Sequence, residues 1–385
     1  MRVSADLVIP AADAAHLLEI ASWDGFRPAT FAASEFPVDV VRLEGSASPP
    51  VVLSRARRAE SLKALPATLR GRAQEAFERA GRKSVGLQLA HAGVLDLSHP
   101  PAVMGIVNVT PDSFSDGGAY FEAASAAERA LRMFEEGAAV VDIGGESTRP
   151  AAYGEAAEIP GEEEIRRVVP VIEAVRRKSG LPLSIDTRKA AVARAAIAAG
   201  ANLVNDVSAF RYDPEMAGAV AETRAGAILM HMRGTDPRTM QQDVAYGHPL
   251  ADIASELAAA LSRALEAGVA PDRLAVDPGF GFGKSPEGNL ILLRHLEAFR
   301  SLGFPVAAGA SRKGFVRRYS GVEELSSSEE RLPGSLACLA AAARGGAAIA
   351  RVHDVAESAR FLRMLRAIET PAARAVAARP AGAAR

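Results

Sequence analysis

The sequence predicts a closed (β/α)8 barrel with a small N-terminal α/β appendage. From about residue 95 onward, short apolar runs of strand type alternate eight times with amphipathic helical patterns. The runs are almost wholly apolar, as expected of parallel strands that are covered on both faces. Eight such units within about 270 residues suit a closed barrel better than an open doubly wound sheet.

Each predicted strand of the barrel is followed by one predicted helix. The strands are Val103–Val107, Ala139–Ile143, Leu183–Asp186, Leu203–Asp206, Ala227–His231, Leu274–Asp277, Val306–Ala308 and Ala348–Val352. The helices are Ala123–Glu136, Glu162–Lys178, Lys189–Ala199, Pro214–Glu222, Ile253–Ala267, Gly288–Arg300, Glu329–Ala343 and Ala356–Ile368. Gly137, Gly200, Gly268 and Gly345 follow helical segments, where C-terminal caps are expected.

Residues 1–97 lack this alternation, and we expect them to form an appendage whose role the sequence does not reveal. Possible strands lie at Asp39–Leu43 and Val51–Leu53, and a helical pattern covers Leu69–Ala80. Trp23, the single tryptophan, is expected to anchor a small core or the interface with the barrel. We assign residues 98–370 to the barrel and expect the Ala/Arg/Pro-rich residues 371–385 to be a disordered tail.

Charge and composition exclude several classes of protein. A formal net charge of −1 gives no support for a nucleic-acid or membrane-surface partner. No apolar run reaches the length of a membrane span, and the N-terminus does not resemble a signal peptide. The single cysteine, Cys338, excludes an intrachain disulfide and fits a reducing compartment. We therefore expect a soluble, cytoplasmic protein.

Polar side chains collect at the carboxyl end of every predicted strand. They are Asn108, Glu146 to Arg149, Asp186, Asn205 and Asp206, His231, Asp277 to Lys284, Ser311 to Lys313, and Arg351 with His353. Active sites of barrels lie on that face, so residues that are scattered in the sequence converge there. Helix capping would explain any single one of these residues, but not polar groups at all the strand ends.

The acidic and amide groups of this set suit a polar heterocycle. Asp186, Asn205 and Asp277 would place carboxylates and an amide near the barrel axis, where they need partners rich in N–H donors. The glycines that follow Asp277 are expected to let a ligand approach the backbone, and Phe280 and Phe282 to form aromatic walls.

The cationic groups suit an anion with more than one phosphate. They are Arg149, Lys313, Arg351 and His353. Arginine makes bidentate contacts with phosphate and lysine acts as a movable point charge. Asn108, beside Thr110 and Asp112, would offer oxygens to a hydrated magnesium ion that accompanies a diphosphate. His231, flanked by two methionines, is expected to be a hydrogen-bonded structural residue, and the histidines outside the strand ends to be surface or packing residues.

The same stretches resemble the dihydropteroate synthase family, the target of the sulfonamides in folate synthesis. The resemblance covers about residues 95–368 in family order, and several of its motifs are long. The matching segments are 104–118, 142–150, 184–187, 204–206, 230–234, 277–284, 309–314 and 351–354.

The resemblance implies a reaction and a set of site residues. The family condenses 6-hydroxymethyl-7,8-dihydropterin diphosphate with 4-aminobenzoate to give 7,8-dihydropteroate and diphosphate, by SN1-like departure of the diphosphate. By resemblance, the pterin would be held by Asp186, Asn205, Asp277 and Lys313, and Mg2+ by Asn108. The diphosphate would contact Thr148, Arg149, Arg351 and His353, and the aminobenzoate would be bordered by Phe282, Ser311 and Lys313. Asp186, Asp277 and Lys313 would be the catalytic residues, and the family commonly forms homodimers.

The sequence departs from the family pattern at one position and leaves other functions open. Ala151 follows Pro150 where the family usually has glycine, which affects the geometry of that loop. Segment 110–118 is expected to be a lid that orders on ligand binding. The alternatives are a pterin-dependent methyltransferase, a Schiff-base aldolase using Lys313, and a catalytically silent pterin-binding regulatory protein.

Overall fold

A computed structural model provides the structure of the chain. It describes residues 1–23, 37–45, 49–99, 101–109, 119–146, 158–237, 239–323 and 327–370. The predicted tail, residues 371–385, lies outside this part of the chain. Within these ranges the structure contains no helix with the length and apolar character that a membrane crossing requires.

The described residues of the N-terminal appendage form a three-stranded antiparallel sheet with three helices. Its strands are β1 (Leu7–Ala11), β2 (Val38–Arg42) and β3 (Val51–Ser54), in the order β1-β2-β3, and its helices are α1 (Ala14–Trp23), α2 (Arg58–Lys63) and α3 (Ala67–Gly81). The sequence patterns did not predict β1, α1 or α2. All three are short, and β1 contains a proline, Pro10, which weakens the strand pattern.

The appendage packs directly against the outside of the barrel. The backbone N–H of Val8 donates to the Ser301 hydroxyl at 3.0 Å, and Arg79 Nε donates to the Ser301 carbonyl at 2.6 Å. Trp23 lies edge-on to His248 and His295 of the barrel, with ring centroids 5.6 and 5.0 Å away. The expectation that Trp23 anchors an interface with the barrel is confirmed.

A short hairpin precedes the barrel, and the eight barrel strands follow it. The hairpin consists of β4 (Gly86–Gln88) and β5 (Val94–Asp96). The barrel strands are β6 (Ala102–Asn108), β7 (Val140–Gly144), β8 (Leu183–Asp186), β9 (Leu203–Asp206), β10 (Gly226–Met230), β11 (Leu274–Asp277), β12 (Ala307–Ala308) and β13 (Ile349–Val352).

The eight strands form the predicted parallel barrel. Their order is β11-β10-β9-β8-β7-β6-β13-β12, and all the pairs in this sheet are parallel. A bridge between Val276 and Val306 joins the two ends, supported by a 2.9 Å hydrogen bond from the N–H of Val276 to the carbonyl of Pro305. The predicted fold class, a (β/α)8 barrel, is confirmed.

Nine helices surround the barrel in the described part of the chain. They are α4 (Ala119–Glu136), α5 (Gly161–Arg176), α6 (Ala190–Ala198), α7 (Met216–Thr223), α8 (Pro249–Glu266), α9 (Pro286–Arg294), α10 (Gly314–Ser320), α11 (Ser328–Arg344) and α12 (Val355–Glu369).

Beyond shifts of up to four residues at helix ends, the helices differ from the prediction at two places. The single helix predicted over 288–300 ends at Arg294, and a 3-10 segment, Leu296–Leu302, continues beyond His295. Helix α10 was not predicted, because its seven residues are too few for a periodic pattern. The cap predicted at Gly345 is confirmed: Gly345 is the C-cap residue of α11, with φ −71°, and the left-handed glycine is the next residue, Gly346, with φ 79°.

The hairpin seals the N-terminal end of the barrel with apolar side chains. Leu87, Leu89, Leu95 and Leu97 are buried in one cluster with the first inward-facing residues of the barrel strands. Those residues include Val140, Leu203, Ala275 and Ile349. Because strand side chains alternate, the residues two positions further on also face inward. They are Asp142, Asn205, Asp277 and Arg351, so a polar layer lies directly above the apolar one.

Candidate active site

A cavity of about 590 Å3 lies at the carboxyl ends of the barrel strands. Its floor includes Arg351, which belongs to the polar layer of the barrel interior, and Asp186, which Arg351 contacts. The upper wall comes from the loops after β11 and β12 and from helix α10. This is the face where a barrel places its catalytic groups, and it is the face that the sequence predicted.

Arg351 joins a fully buried carboxylate and a largely buried one on the floor of the cavity. Its Nε donates to Asp142 Oδ2 at 2.7 Å and its Nη2 donates to Asp186 Oδ2 at 2.6 Å. The amide of Asn205 donates to the same Asp142 oxygen at 3.1 Å. These four residues come from strands β13, β7, β8 and β9, so only the closed barrel brings them together.

Burial and charge act against each other in this network. Burial raises the pKa of Asp186 to about 7, although the guanidinium of Arg351 opposes the shift. Burial alone would lower the pKa of Arg351, but the carboxylates of Asp142 and Asp186 outweigh it and raise that pKa above its usual value. Arg351 therefore stays charged, while Asp186 can exchange a proton near neutral pH.

Asp277 is the second carboxylate whose protonation changes near neutral pH. It is buried, and its Oδ1 accepts a hydrogen bond of 2.7 Å from the N–H of Gly279. Burial raises the pKa of Asp277 to about 6, against the hydrogen bond from Gly279 and the positive charge of Lys313. Its location two residues above Ala275 places it on the inner face of the barrel.

The backbone after Asp277 requires glycines, and one of them, Gly281, also lines the cavity. Gly279, Gly281 and Gly283 have φ values of 72°, 77° and 67°, in the left-handed region that favours glycine. A Cβ on Gly279 would lie 1.9 Å from the carbonyl oxygen of His231, and one on Gly283 would lie 2.2 Å from Arg233 Cβ. The loop is therefore held tightly against the end of β10.

Lys284 is buried next to His231 beneath this loop. Its Nζ lies 2.9 Å from His231 Nδ1 and donates to the Phe282 carbonyl at 2.9 Å. Burial lowers the pKa of Lys284 to about 7. Burial, and to a smaller extent the positive charge of Lys284, lowers the pKa of His231 to about 3. A neutral His231 whose Nε2 lies 3.2 Å from Glu256 fits the predicted structural role.

Lys313 and Phe282 form one side of the cavity. The ammonium nitrogen of Lys313 lies 4.0 Å from the centroid of the Phe282 ring, in cation–π geometry. Phe282 lines the cavity as predicted. The expectation that Phe280 is a second wall was wrong, because its side chain is 1% exposed and packs against Phe315 with ring centroids 6.4 Å apart.

Ser311 and His353 lie together at the mouth of the cavity. The backbone N–H of His353 donates to the Ser311 hydroxyl at 3.3 Å, and His353 Nδ1 lies 3.2 Å from the same oxygen. The structure thus brings two predicted site residues, which are 42 positions apart, into contact.

The cavity also has cationic residues that were not predicted from the sequence. They are Arg317, Arg318 and Arg331. Arg312 pairs with Asp354 at the rim, while Arg317 lies on α10 one helical turn after Lys313. The i, i+4 spacing of Lys313 and Arg317 was a readable signal once a helix was recognised there.

Several predicted residues lie outside the described part of the chain. These are Thr148, Arg149, Pro150 and Ala151 of the second loop and the lid segment 110–118. The second loop leaves the described part after Glu146, which accepts hydrogen bonds from Arg188 and Lys189 at 3.1 and 2.6 Å.

The residues at the mouth fit a magnesium ion that is carried largely by phosphate oxygens. Asn108 is exposed at the end of β6 and lines the cavity, so its amide oxygen is available as one ligand. Among the described residues, the sole cluster of three His, Cys, Asp or Glu side chains with metal-ligand spacing lies elsewhere. Magnesium commonly completes its shell with waters and substrate phosphates, which suits a site with few protein ligands.

Comparisons with known proteins agree with this geometry. Residues 104–353 match the family described as pterin binding enzyme. A dihydropteroate synthase of Escherichia coli strain K12 is 43% identical over 273 residues, which is 71% of this chain and 93% of that protein.

Two solved structures of Xanthomonas albilineans dihydropteroate synthase are also similar. One holds 4-aminobenzoic acid and is 45% identical, with a TM-score of 0.67. The other holds 7,8-dihydropteroate and is 43% identical, with a TM-score of 0.65. Each similarity covers 74% of this chain and 98% of the other chain.

Proposed function

Because the chain belongs to the dihydropteroate synthase family of pterin-binding enzymes, we propose a division of its cavity between the two substrates of that reaction. The enzyme is a transferase that joins 6-hydroxymethyl-7,8-dihydropterin diphosphate to 4-aminobenzoate in folate biosynthesis. The bond between the exocyclic methylene and the diphosphate oxygen breaks, and a bond from that methylene to the aniline nitrogen forms. The products are 7,8-dihydropteroate and diphosphate.

The observation that carries the proposal is the polar layer beneath a cationic mouth. Asp142, Asn205 and Asp277 supply buried oxygen acceptors around the barrel axis, and Asp186, whose side chain is 10% exposed, adds another at the cavity floor. A pterin ring with its amino and ring N–H groups matches such acceptors, because buried carboxylates require hydrogen-bond donors. Asp142 joins the residues identified from the sequence because it shares Arg351 with Asp186.

The diphosphate belongs between Arg351 on the floor of the cavity and the cations at its mouth. Arg351 and His353 lie on the same face of the chain, and Arg317, Arg318 and Arg331 add positive charge above them. Preorganised cations of this kind stabilise a leaving group as its negative charge develops. Thr148 and Arg149 complete this set in the proposal. Mg2+, which Asn108 would help to hold, would neutralise the diphosphate charge as it leaves.

The aminobenzoate belongs beside Phe282, Ser311 and Lys313. Lys313 lies above the Phe282 ring and provides a positive charge for the carboxylate or the pterin. The aniline nitrogen has a free lone pair, so an activated nucleophile on the protein is not needed. Once the diphosphate departs, positive charge spreads into the pterin, and the ionised carboxylate of Asp277 on the inner face stabilises it.

The deciding assay incubates the protein with the pterin diphosphate, Mg2+ and labelled 4-aminobenzoate. We expect labelled dihydropteroate and one diphosphate for each product molecule. Folded protein that forms no labelled product would refute the proposal. Transfer of a methyl group from a pterin would support the methyltransferase, and trapping of Lys313 by borohydride with a carbonyl substrate would support the aldolase.

The proposal includes a homodimer in the cytoplasm. Met364 and Ile368 are four residues apart on α12, and their side chains are exposed on one face of it. Large apolar side chains exposed on one helix face are typical of interfaces. Light scattering after gel filtration should give twice the mass of the chain, and Ile368→Glu should halve it while the exposed-site control Leu181→Glu should not.

A further inference from the structure

The appendage and the barrel share a cluster of metal-ligating side chains that the proposed reaction does not use. His16 and Glu19 are three residues apart on α1, so they lie on one face of that helix. His295 follows α9 of the barrel and faces them across the interface. One ligand atom from each of the three lies within 4.8 Å of the other two.

The distances within the cluster suit a small tetrahedral ion. The rings of His16 and His295 have centroids 4.9 Å apart and are inclined by 32°. His295 Nε2 lies 3.9 Å from Glu19 Oε1. Zinc bonds of about 2.0–2.2 Å place tetrahedral ligand atoms roughly 3.3–3.6 Å apart, so closure needs side-chain movements on the order of 1 Å.

The ring nitrogens of the barrel histidine, His295, are buried without hydrogen-bond partners among the described residues. His295 is 0% exposed, and neither its Nδ1 nor its Nε2 has a hydrogen-bond partner among the described residues. The Nε2 atom of His16 is buried and also has no hydrogen-bond partner in that part of the chain. Buried polar atoms are ordinarily satisfied, so three such nitrogens at one interface need an explanation.

The groups around the cluster orient the carboxylate. Arg294 Nη2 lies 3.1 Å from Glu19 Oε2, which leaves Oε1 directed at His295. His16 Nδ1 accepts an exposed 3.2 Å hydrogen bond from the N–H of Ala12, and metal binding at Nε2 would require this nitrogen to carry the proton instead. That exchange gives up one solvent-accessible hydrogen bond in return for a metal bond.

We propose that His16, Glu19 and His295 bind a divalent transition-metal ion of the zinc class, with water as the fourth ligand. Two imidazoles and one carboxylate form a donor set that zinc and cobalt prefer over magnesium. The ion joins α1 of the appendage to the end of α9, so it fastens the two parts of the chain together. The site is separate from the active-site cavity, and the proposal does not depend on the activity.

The test uses full-length, tag-free protein that has been stripped of metal and kept in excess Mg2+. Titration with Co2+ should show one equivalent bound, with the intense visible absorption of tetrahedral cobalt, and Zn2+ should displace it. The melting temperature should rise with Zn2+.

Variants locate the ion. His16→Ala and Glu19→Gln should each weaken cobalt binding by more than about tenfold, because loss of even an outer-shell partner commonly costs that much. His99→Ala is the matched control, since His99 is exposed and contacts Ser98 away from the cluster. Glu19→Gln keeps the side-chain shape, so its folding can be verified by circular dichroism. No tetrahedral cobalt in the wild type, or undiminished affinity in both variants, would overturn the proposal.

Discussion

Replacement of Arg351 by alanine gives the most direct test of the buried charge network. The change removes the guanidinium that donates to Asp142 and Asp186 at 2.7 and 2.6 Å. Loss of one partner from a buried ion pair costs about 3–5 kcal/mol, because the remaining charge is left uncompensated. The Arg351 side chain is 19% exposed to the cavity, so we expect the lower end of that range, about 3 kcal/mol.

The pH dependence of the stability lost in Arg351→Ala tests whether Asp186 contributes to that loss. The pKa of Asp186 is about 7 in the folded state and about 3.9 in the unfolded state. Protonation of Asp186 therefore stabilises the folded state fully below about pH 4, and this stabilisation is lost as the pH rises through 7. Without Arg351 the folded pKa rises further. The variant and wild type should therefore differ less at about pH 6, where Asp186 is protonated in both, than at about pH 8.

Urea unfolding followed by circular dichroism at the two pH values measures the difference. Arg351→Lys retains a positive charge and should lose less stability than Arg351→Ala. Adding Asp186→Asn to Arg351→Ala should restore part of the lost stability, since it removes the unpaired charge. An equal loss at both pH values, together with no recovery in the double variant, would refute this account.

Three further predictions concern the site. Affinity for a pterin analogue should fall at least about tenfold between about pH 7.5 and 5.5, because Asp186 and Asp277 must be ionised to accept its N–H groups and have pKa values of about 7 and 6. Calorimetry at the two pH values measures the affinity, and an affinity that does not change with pH contradicts the prediction. Gly279→Ala should destabilise by more than about 2 kcal/mol in urea unfolding, since its Cβ meets the His231 carbonyl at 1.9 Å, whereas Gly71→Ala in α3 should stabilise by about 0.5–1 kcal/mol. Lys313→Gln should lower kcat/KM at least about tenfold while Lys313→Arg retains most of it, because the role of the residue is its charge above Phe282; equal losses would indicate an amine that reacts covalently.

The barrel strands were predictable because each is a short apolar run with a polar residue at its end. Strands β8, β9 and β11 have the predicted bounds, and the others differ by one or two residues. Hairpin β4–β5 could not be identified in the same way, since its three-residue strands have no extended pattern. The leucines of this hairpin become buried only because the closed barrel has an apolar end that they cover.

The residues of the candidate site were likewise predictable only where a local sequence pattern identified them. Residues at strand ends were found because their position on the barrel is known from the strand alone. Asp142 was not selected, since a single acid within the apolar strand Val140–Gly144 has no visible partner in the sequence. That partner, Arg351, lies 209 positions away. A contact of that separation depends on the closure of the barrel and not on any local pattern.

The leucine-filled end of the barrel has a consequence for the order of events during turnover. Since Leu87, Leu89, Leu95 and Leu97 fill the end opposite the cavity, substrates and products share one entrance at the mouth. In the proposed division of the cavity, the pterin rests on the polar layer, deeper than the aminobenzoate, which would block its entry. Steady-state kinetics should therefore be sequential with the pterin diphosphate binding first, and dihydropteroate should compete with it for the free enzyme.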